Sequence, residues 1–140
     1  MKPYLLDVNL LIALAWPSHV HHSVAQSWFA KKRRAGFRTC PLTQTGFVRI
    51  SSNPKFTPEA VSPMQALALL NRVTALPEHQ FWPANLDLAS AIRNLDALLG
   101  HRQVTDAYLL GIAQAHRGIL ATLDRGTLSI GNPEALELVH

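Results

Sequence analysis

Three of the nine acidic residues in this 140-residue chain stand where apolar segments begin or end. Asp7 closes the apolar run Tyr4-Leu5-Leu6, Asp124 follows Ile119-Leu120-Ala121-Thr122-Leu123, and Asp106 opens the apolar segment from Val104 to His116. The other acids read as surface groups: Glu59 in a loop, Glu78 in a turn, Asp87 at a cap, Asp96 on a helix, Glu134 and Glu137 in the tail. In an open α/β sheet, ligands bind beyond the carboxyl ends of the strands, so Asp7 and Asp124 would converge there if their strands are neighbours. Asp106 would sit at the start of a crossover helix, along the same edge. Carboxylates held together repel, and burial further disfavours their charged form, so such a group calls for a proton or a counter-ion. All-oxygen ligands suit Mg²⁺ or Mn²⁺, and such an ion can polarise a phosphodiester and activate water for in-line attack. Spacing alone leaves a second reading open, in which the three are separate helix caps or first-turn charges.

The elements that must position these groups follow from periodicity and punctuation. Tyr4 to Leu6, Phe37 to Cys40, Gln80 to Trp82 and Ile119 to Leu123 read as strands, the first and last apolar on both faces as in a covered parallel sheet. Ala135 to Val139 reads as a short edge strand or a turn. Helices are expected over Asn9 to Trp16, Ser18 to Arg34, the segment after Thr43 as N-cap, Pro63 to Ala75, Leu88 to Leu99 and Val104 to His116. Ser51 to Ser62 reads as a long surface loop. The alternation implies a single α/β domain over 1–140, with a central, mostly parallel sheet of four to five short strands flanked by helices on both faces.

Composition narrows the class without naming a substrate. Hydrophobic residues at 48% and charged residues at 16% describe a globular chain. The apolar run from Leu10 to Trp16 falls far short of the ~20 residues that span a bilayer, so no membrane association is expected and a cytoplasmic location is the default. Cys40, the lone cysteine, excludes an internal disulfide and a cysteine-rich zinc site. The net charge of +4 favours an anionic partner, and Lys31-Lys32-Arg33-Arg34 is the densest basic run. It reads either as the solvated end of a helix or as a phosphate-tracking surface. His19, His21 and His22 have no acidic neighbour in sequence and do not read as metal ligands; Trp16, Trp28 and Trp82 read as core or interface anchors.

Four motifs taken together carry a resemblance. Leu5-Leu6-Asp7-Val8-Asn9, Cys40-Pro41-Leu42-Thr43-Gln44-Thr45-Gly46-Phe47-Val48-Arg49, Val104-Thr105-Asp106-Ala107-Tyr108-Leu109-Leu110 and Leu120-Ala121-Thr122-Leu123-Asp124-Arg125-Gly126 occur in the order and spacing of the PIN-domain VapC toxins of bacterial toxin–antitoxin systems. The resemblance implies a PIN-like fold and a Mg²⁺- or Mn²⁺-dependent endoribonuclease that cuts structured cellular RNA of the tRNA or rRNA class. It implies a homodimer, restrained by a cognate VapB-type antitoxin encoded beside it. Carried over by position, Asp7, Asp106 and Asp124 are the metal-site carboxylates, and Asn9 and Thr122 support them. Thr105, beside Asp106, is a further supporting candidate, and Arg125, His101 and the basic run Lys31 to Arg34 are read as candidates to face the RNA. Many PIN domains carry Glu where this chain has Gln44. An amide brings no charge to a metal, which predicts one tightly held ion rather than two and motivates an alternative, a catalytically weak RNA- or protein-binding module. A third reading, a phosphatase with Asp7 as nucleophile, fits less well because Asn9 stands where such enzymes commonly carry a second Asp.

Overall fold

The computed structural model describes residues 1–92 and 95–140. The chain runs β1 (Tyr4–Leu6), α1 (Val8–Ala15), α2 (His22–Lys32), β2 (Phe37–Thr39), α3 (Pro41–Ser51), α4 (Pro63–Thr74), β3 (His79–Phe81), α5 (Leu88–Ala91), α6 (Val104–Ala115), β4 (Ile119–Thr122) and β5 (Leu136–Leu138). The five strands form one sheet in the order β3-β2-β1-β4-β5, and every neighbouring pair is parallel. Strands of this length cannot specify a sheet alone, and the helices on both faces do so by burial. Tyr4 and Leu6 join a core with α1, α2, α3 and α4, whereas Leu5, on the opposite face by the two-residue alternation of a strand, joins α6 and Leu136. The continuously apolar strand sequence follows from this two-sided burial.

The expected and observed boundaries differ for local reasons. The second helix starts at His22, not Ser18, because residues 17–21 form a turn in which the His19 ring nitrogen Nδ1 accepts from the His21 N–H (3.0 Å). Its α-helical part stops at Lys32, and Arg33–Ala35 tighten into a 3-10 turn before Gly36. Thr43 is not the N-cap of α3. Pro41 sets the first helical turn, Cys40 occupies the cap, and the Thr43 hydroxyl accepts from the Cys40 N–H (2.9 Å). The buried Cys40 thiol is free, as expected. Ser62 and Gln65 close a reciprocal capping box at the start of α4. The helix expected over Leu88 to Leu99 is confined to α5, capped by Asp87 (2.8 Å to the Ser90 N–H); residues 93 and 94 of that expectation lie outside the described residues. Among the described residues, no helix is long and apolar enough to cross a membrane.

Two glycines permit close helix packing. A Cβ on Gly46 would come within 2.7 Å of a Val8 methyl, which joins α3 to the first turn of α1 beside Asp7. A Cβ on Gly111 would meet the Ala91 carbonyl oxygen at 2.1 Å, with backbone and no flexible side chain to move aside. Gly111→Ala is therefore expected to lower stability by about 3 kcal/mol, the upper part of the overpacking range. Urea denaturation checks this, and an unchanged midpoint would show that α5 and α6 do not pack so closely.

Candidate functional site

Parallel β1 and β4 are neighbours, so the residues that follow them share the carboxyl edge of the sheet. Asp7 leaves β1 in an extended conformation and caps α1, with its Oδ1 accepting from the Val8 N–H (2.7 Å). Its other oxygen, Oδ2, accepts from the hydroxyl of the fully buried Thr122 (2.8 Å). The same hydroxyl oxygen accepts from the Asp124 N–H (3.1 Å), so one Thr side chain ties the ends of both strands together. Asn9, in the first turn of α1, accepts from the Leu123 N–H (3.3 Å) and holds the segment that delivers Asp124. Asp106, in the first turn of α6, accepts through Oδ2 from the Thr127 hydroxyl (3.3 Å). Asp7, Asp106 and Asp124 line one pocket of about 230 Å³.

The charges in this pocket are not balanced. Burial pushes the Asp7 carboxyl above the ordinary carboxylate range, hydrogen bonds from Thr122 and Val8 oppose that shift, and the charge of Asp124 adds to it. Asp106 is pushed up to about 7, first by burial and then by the charges of Asp7 and Asp124, against the hydrogen bond from Thr127. Among the described residues, no group of three His, Cys, Asp or Glu side chains is arranged to chelate a metal ion directly. The all-carboxylate donor set nevertheless suits a hard cation that keeps part of its water shell, because Mg²⁺ is commonly held by one or two carboxylates.

The structure separates the other expected site residues into those it brings to the pocket and those it does not. His101 and its neighbour Arg102 line a recess of about 460 Å³ that shares Asp106 and Asp124 with the carboxylate pocket. Thr105 is exposed on the first turn of α6, and Arg125 is exposed at the start of a 3-10 segment, Arg125–Ile130. Gln44 lies on Thr39, to which its amide N–H donates (3.0 Å), and Thr39 in turn bonds the His79 ring (2.7 Å). It does not line the carboxylate pocket. Nor do Lys31, Lys32, Arg33 and Arg34, because the segment feeding a parallel strand must end at the amino edge. There the Gly36 carbonyl accepts from the Tyr4 N–H (3.0 Å), and Arg33 makes a bidentate pair with Glu78 (2.8 and 2.9 Å). The basic run thus belongs to the edge opposite the carboxylates.

Sequence reasoning missed four residues here. Thr127 was signalled only by its position three residues after Asp124, in a turn where its N–H donates to the Asp124 carbonyl (3.2 Å). Gln103 donates to the Gly126 carbonyl (3.1 Å) and the Ser129 hydroxyl (2.9 Å), joining the entry to α6 with the loop after β4. His19 and Phe56 line the carboxylate pocket from two separate loops, and no spacing rule connects them.

Comparison with known proteins places this geometry in a family. A PIN domain model matches residues 4–131. The chain is 45% identical over 121 residues to ribonuclease VapC39 of Mycobacterium tuberculosis, covering 86% of this chain and 87% of that protein. It is 41% identical over 126 residues to ribonuclease VapC38 of the same organism, covering 90% and 88%. Among solved structures it is similar in fold to a chain of the VapBC2 complex of Rickettsia felis, bound to a DNA fragment from its promoter, with a TM-score of 0.66, 13% identity and 99% of each chain covered.

The raised pKa of Asp106 sets a pH dependence for the metal-free protein. The folded state holds a proton that the unfolded chain, with an ordinary carboxylate near 3.8, has already released, so stability falls as pH rises from about 4 through about 7. Asp106→Asn removes that loss. In EDTA at pH 8 it is expected to raise Tm by about 3–6 °C, and at pH 4 to leave it nearly unchanged. Equal shifts at both pH values, measured by calorimetry, would contradict the assignment.

Proposed function

Because the chain belongs to the PIN domain family, among the VapC ribonucleases, we propose that it is the toxin of a VapBC-type pair and a Mg²⁺- or Mn²⁺-dependent endoribonuclease. Its substrate is structured cellular RNA of the tRNA or rRNA class, cut where a loop leaves the backbone unpaired. The observation that carries this reading is the meeting of Asp7, Asp106 and Asp124 in one pocket at the carboxyl edge, with Asp106 pushed up to about 7 by burial and then by its neighbours' charges. A pocket so poised accepts either protons or a cation, and its oxygen donors fit the latter.

When bound, the cation supplies positive charge to the phosphodiester and lowers the pKa of water in the pocket. The chain itself does the positioning. Val8 and Thr122 fix both oxygens of Asp7, so this carboxylate cannot rotate away from the pocket without breaking two hydrogen bonds. Asp106, pushed up to about 7, would be among the carboxylates that hold the cation and would do so without its proton, with Thr127 keeping its Oδ2 in place. His101 and Arg102 flank the carboxylates in the adjoining recess, where they offer donors to the RNA backbone. The reading extends to a homodimer bound by a cognate VapB-type antitoxin. The alternative, a catalytically weak binding module, is motivated by Gln44, whose amide donates to Thr39 and brings no charge to the carboxylates; metal-dependent cleavage by the purified chain distinguishes the two readings.

Incubation of total RNA with the purified chain tests the activity. Cleavage is expected with Mg²⁺ or Mn²⁺ and not with EDTA. Asp7→Asn should abolish it, and Thr122→Val should reduce it about 10–100-fold, as for a side chain that orients a metal-binding carboxylate. Metal-independent cleavage, or full activity in Asp7→Asn, would reject the mechanism.

A further inference from the structure

The carboxylate pocket adjoins a second recess of about 240 Å³, lined by Trp16, Ser18, His19, Phe56 and Thr57. His19 and Phe56 line both spaces. Asp106 and Asp124 also border the His101 and Arg102 recess. The carboxylate pocket therefore has two neighbours, one recess with cationic and imidazole groups and one with aromatic rings.

Each aromatic wall is fixed by backbone or side-chain hydrogen bonds. Trp16 donates through its indole N–H to the Ser51 hydroxyl (3.0 Å). His19 accepts at Nδ1 from the His21 N–H, which assigns the ring proton of the neutral imidazole to Nε2 and leaves that nitrogen a donor. Burial and the neighbouring His21 and His22 lower the His19 pKa, which keeps the ring neutral. Phe56 sits on a turn in which its N–H donates to the Asn53 carbonyl (2.9 Å), and the Lys55 N–H donates to the Asn53 side chain (2.9 Å). Phe56 remains 47% exposed although it borders the site, so the fold leaves much of its ring uncovered.

We infer that this recess receives an unpaired nucleobase of the RNA, the one next to the scissile phosphate, stacked against Phe56 beside His19 and Trp16. The inference rests on the ribonuclease reading above and deepens it. The recess shares His19 and Phe56 with the pocket beside which the phosphate must lie, its aromatic walls match the π-face of a base, and its polar groups are uncharged hydroxyls and a neutral imidazole. Ribonucleotide bases displayed in loops are commonly held by such stacking. Phe56 and His19 are thus base-positioning residues, and they select the site of the cut by the base beside it.

The test uses the metal-loaded chain and a set of short RNA hairpins with randomised loops, with the cut sites read by sequencing. The native chain should prefer one base, or one class of base, adjacent to the cut. Phe56→Ala should flatten that preference and raise KM about tenfold on the preferred hairpin, while Phe56→Tyr should keep both. Replacing the preferred base with an abasic nucleotide should slow the native chain about tenfold and Phe56→Ala much less. The same preference in Phe56→Ala, or a native cut indifferent to neighbouring bases, would overturn the recess assignment and leave the ribonuclease reading standing. No cleavage of any RNA by the metal-loaded native chain would overturn both.

Discussion

The hydroxyl of Thr122 holds the site together. It donates to Asp7 and accepts from the Asp124 N–H, so the carboxyl ends of the two central strands are tied by a side chain that is itself fully buried. A buried hydroxyl with both roles satisfied costs nothing in unpaired polarity, and it sets the separation of two acidic residues that would otherwise move apart. The remainder of the architecture serves this junction. The parallel pairing of β1 and β4 brings the ends side by side, Asn9 secures Leu123, and the loop from Asp124 to Thr127 reaches back to Asp106 at the start of α6.

Holding these carboxylates together stores electrostatic energy in the folded state. Burial and mutual repulsion act in the same direction on Asp106, and the hydrogen bond from Thr127 offsets only part of that. Asp106 is thereby poised to change its charge at a pH near neutrality, and under the proposed function a cation would take the place of its proton. The two adjoining recesses carry groups of a different kind, His101 and Arg102 in one and the rings of Trp16, His19 and Phe56 in the other. Under the proposed function, the carboxylates carry the charge and the two recesses carry the recognition.

Much of this was legible from sequence because each signal was local. Apolar runs ending in Asp7 and Asp124 mark strands and their carboxyl edge, and the alternation of elements makes the sheet parallel, as the five strands are. What was not legible depends on direction or on distant pairing. A basic run has no orientation in a composition, and only the parallel course of β2 reveals that Lys31 to Arg34 end at the amino edge, with Arg33 held by Glu78. Gln44 sits at the expected place in its motif, but its amide is taken up by Thr39, a residue no motif flagged. His19 looked like one of three histidines opening a helix. Its ring instead holds a turn, delaying that helix to His22 and placing the imidazole at the mouth of the pocket.

Asp106 shares a charge-loaded pocket with Asp7 and Asp124, and under the proposed function it exchanges its proton for a divalent cation. Calorimetric titration of Mn²⁺ into the native chain at pH 6.5, in two buffers of different ionisation enthalpy, counts the protons released on binding. Release of roughly half a proton or more per bound ion, lost in Asp106→Asn, is the expected result for a carboxyl with a pKa of about 7. Binding without proton release, or the same release in Asp106→Asn, would contradict it.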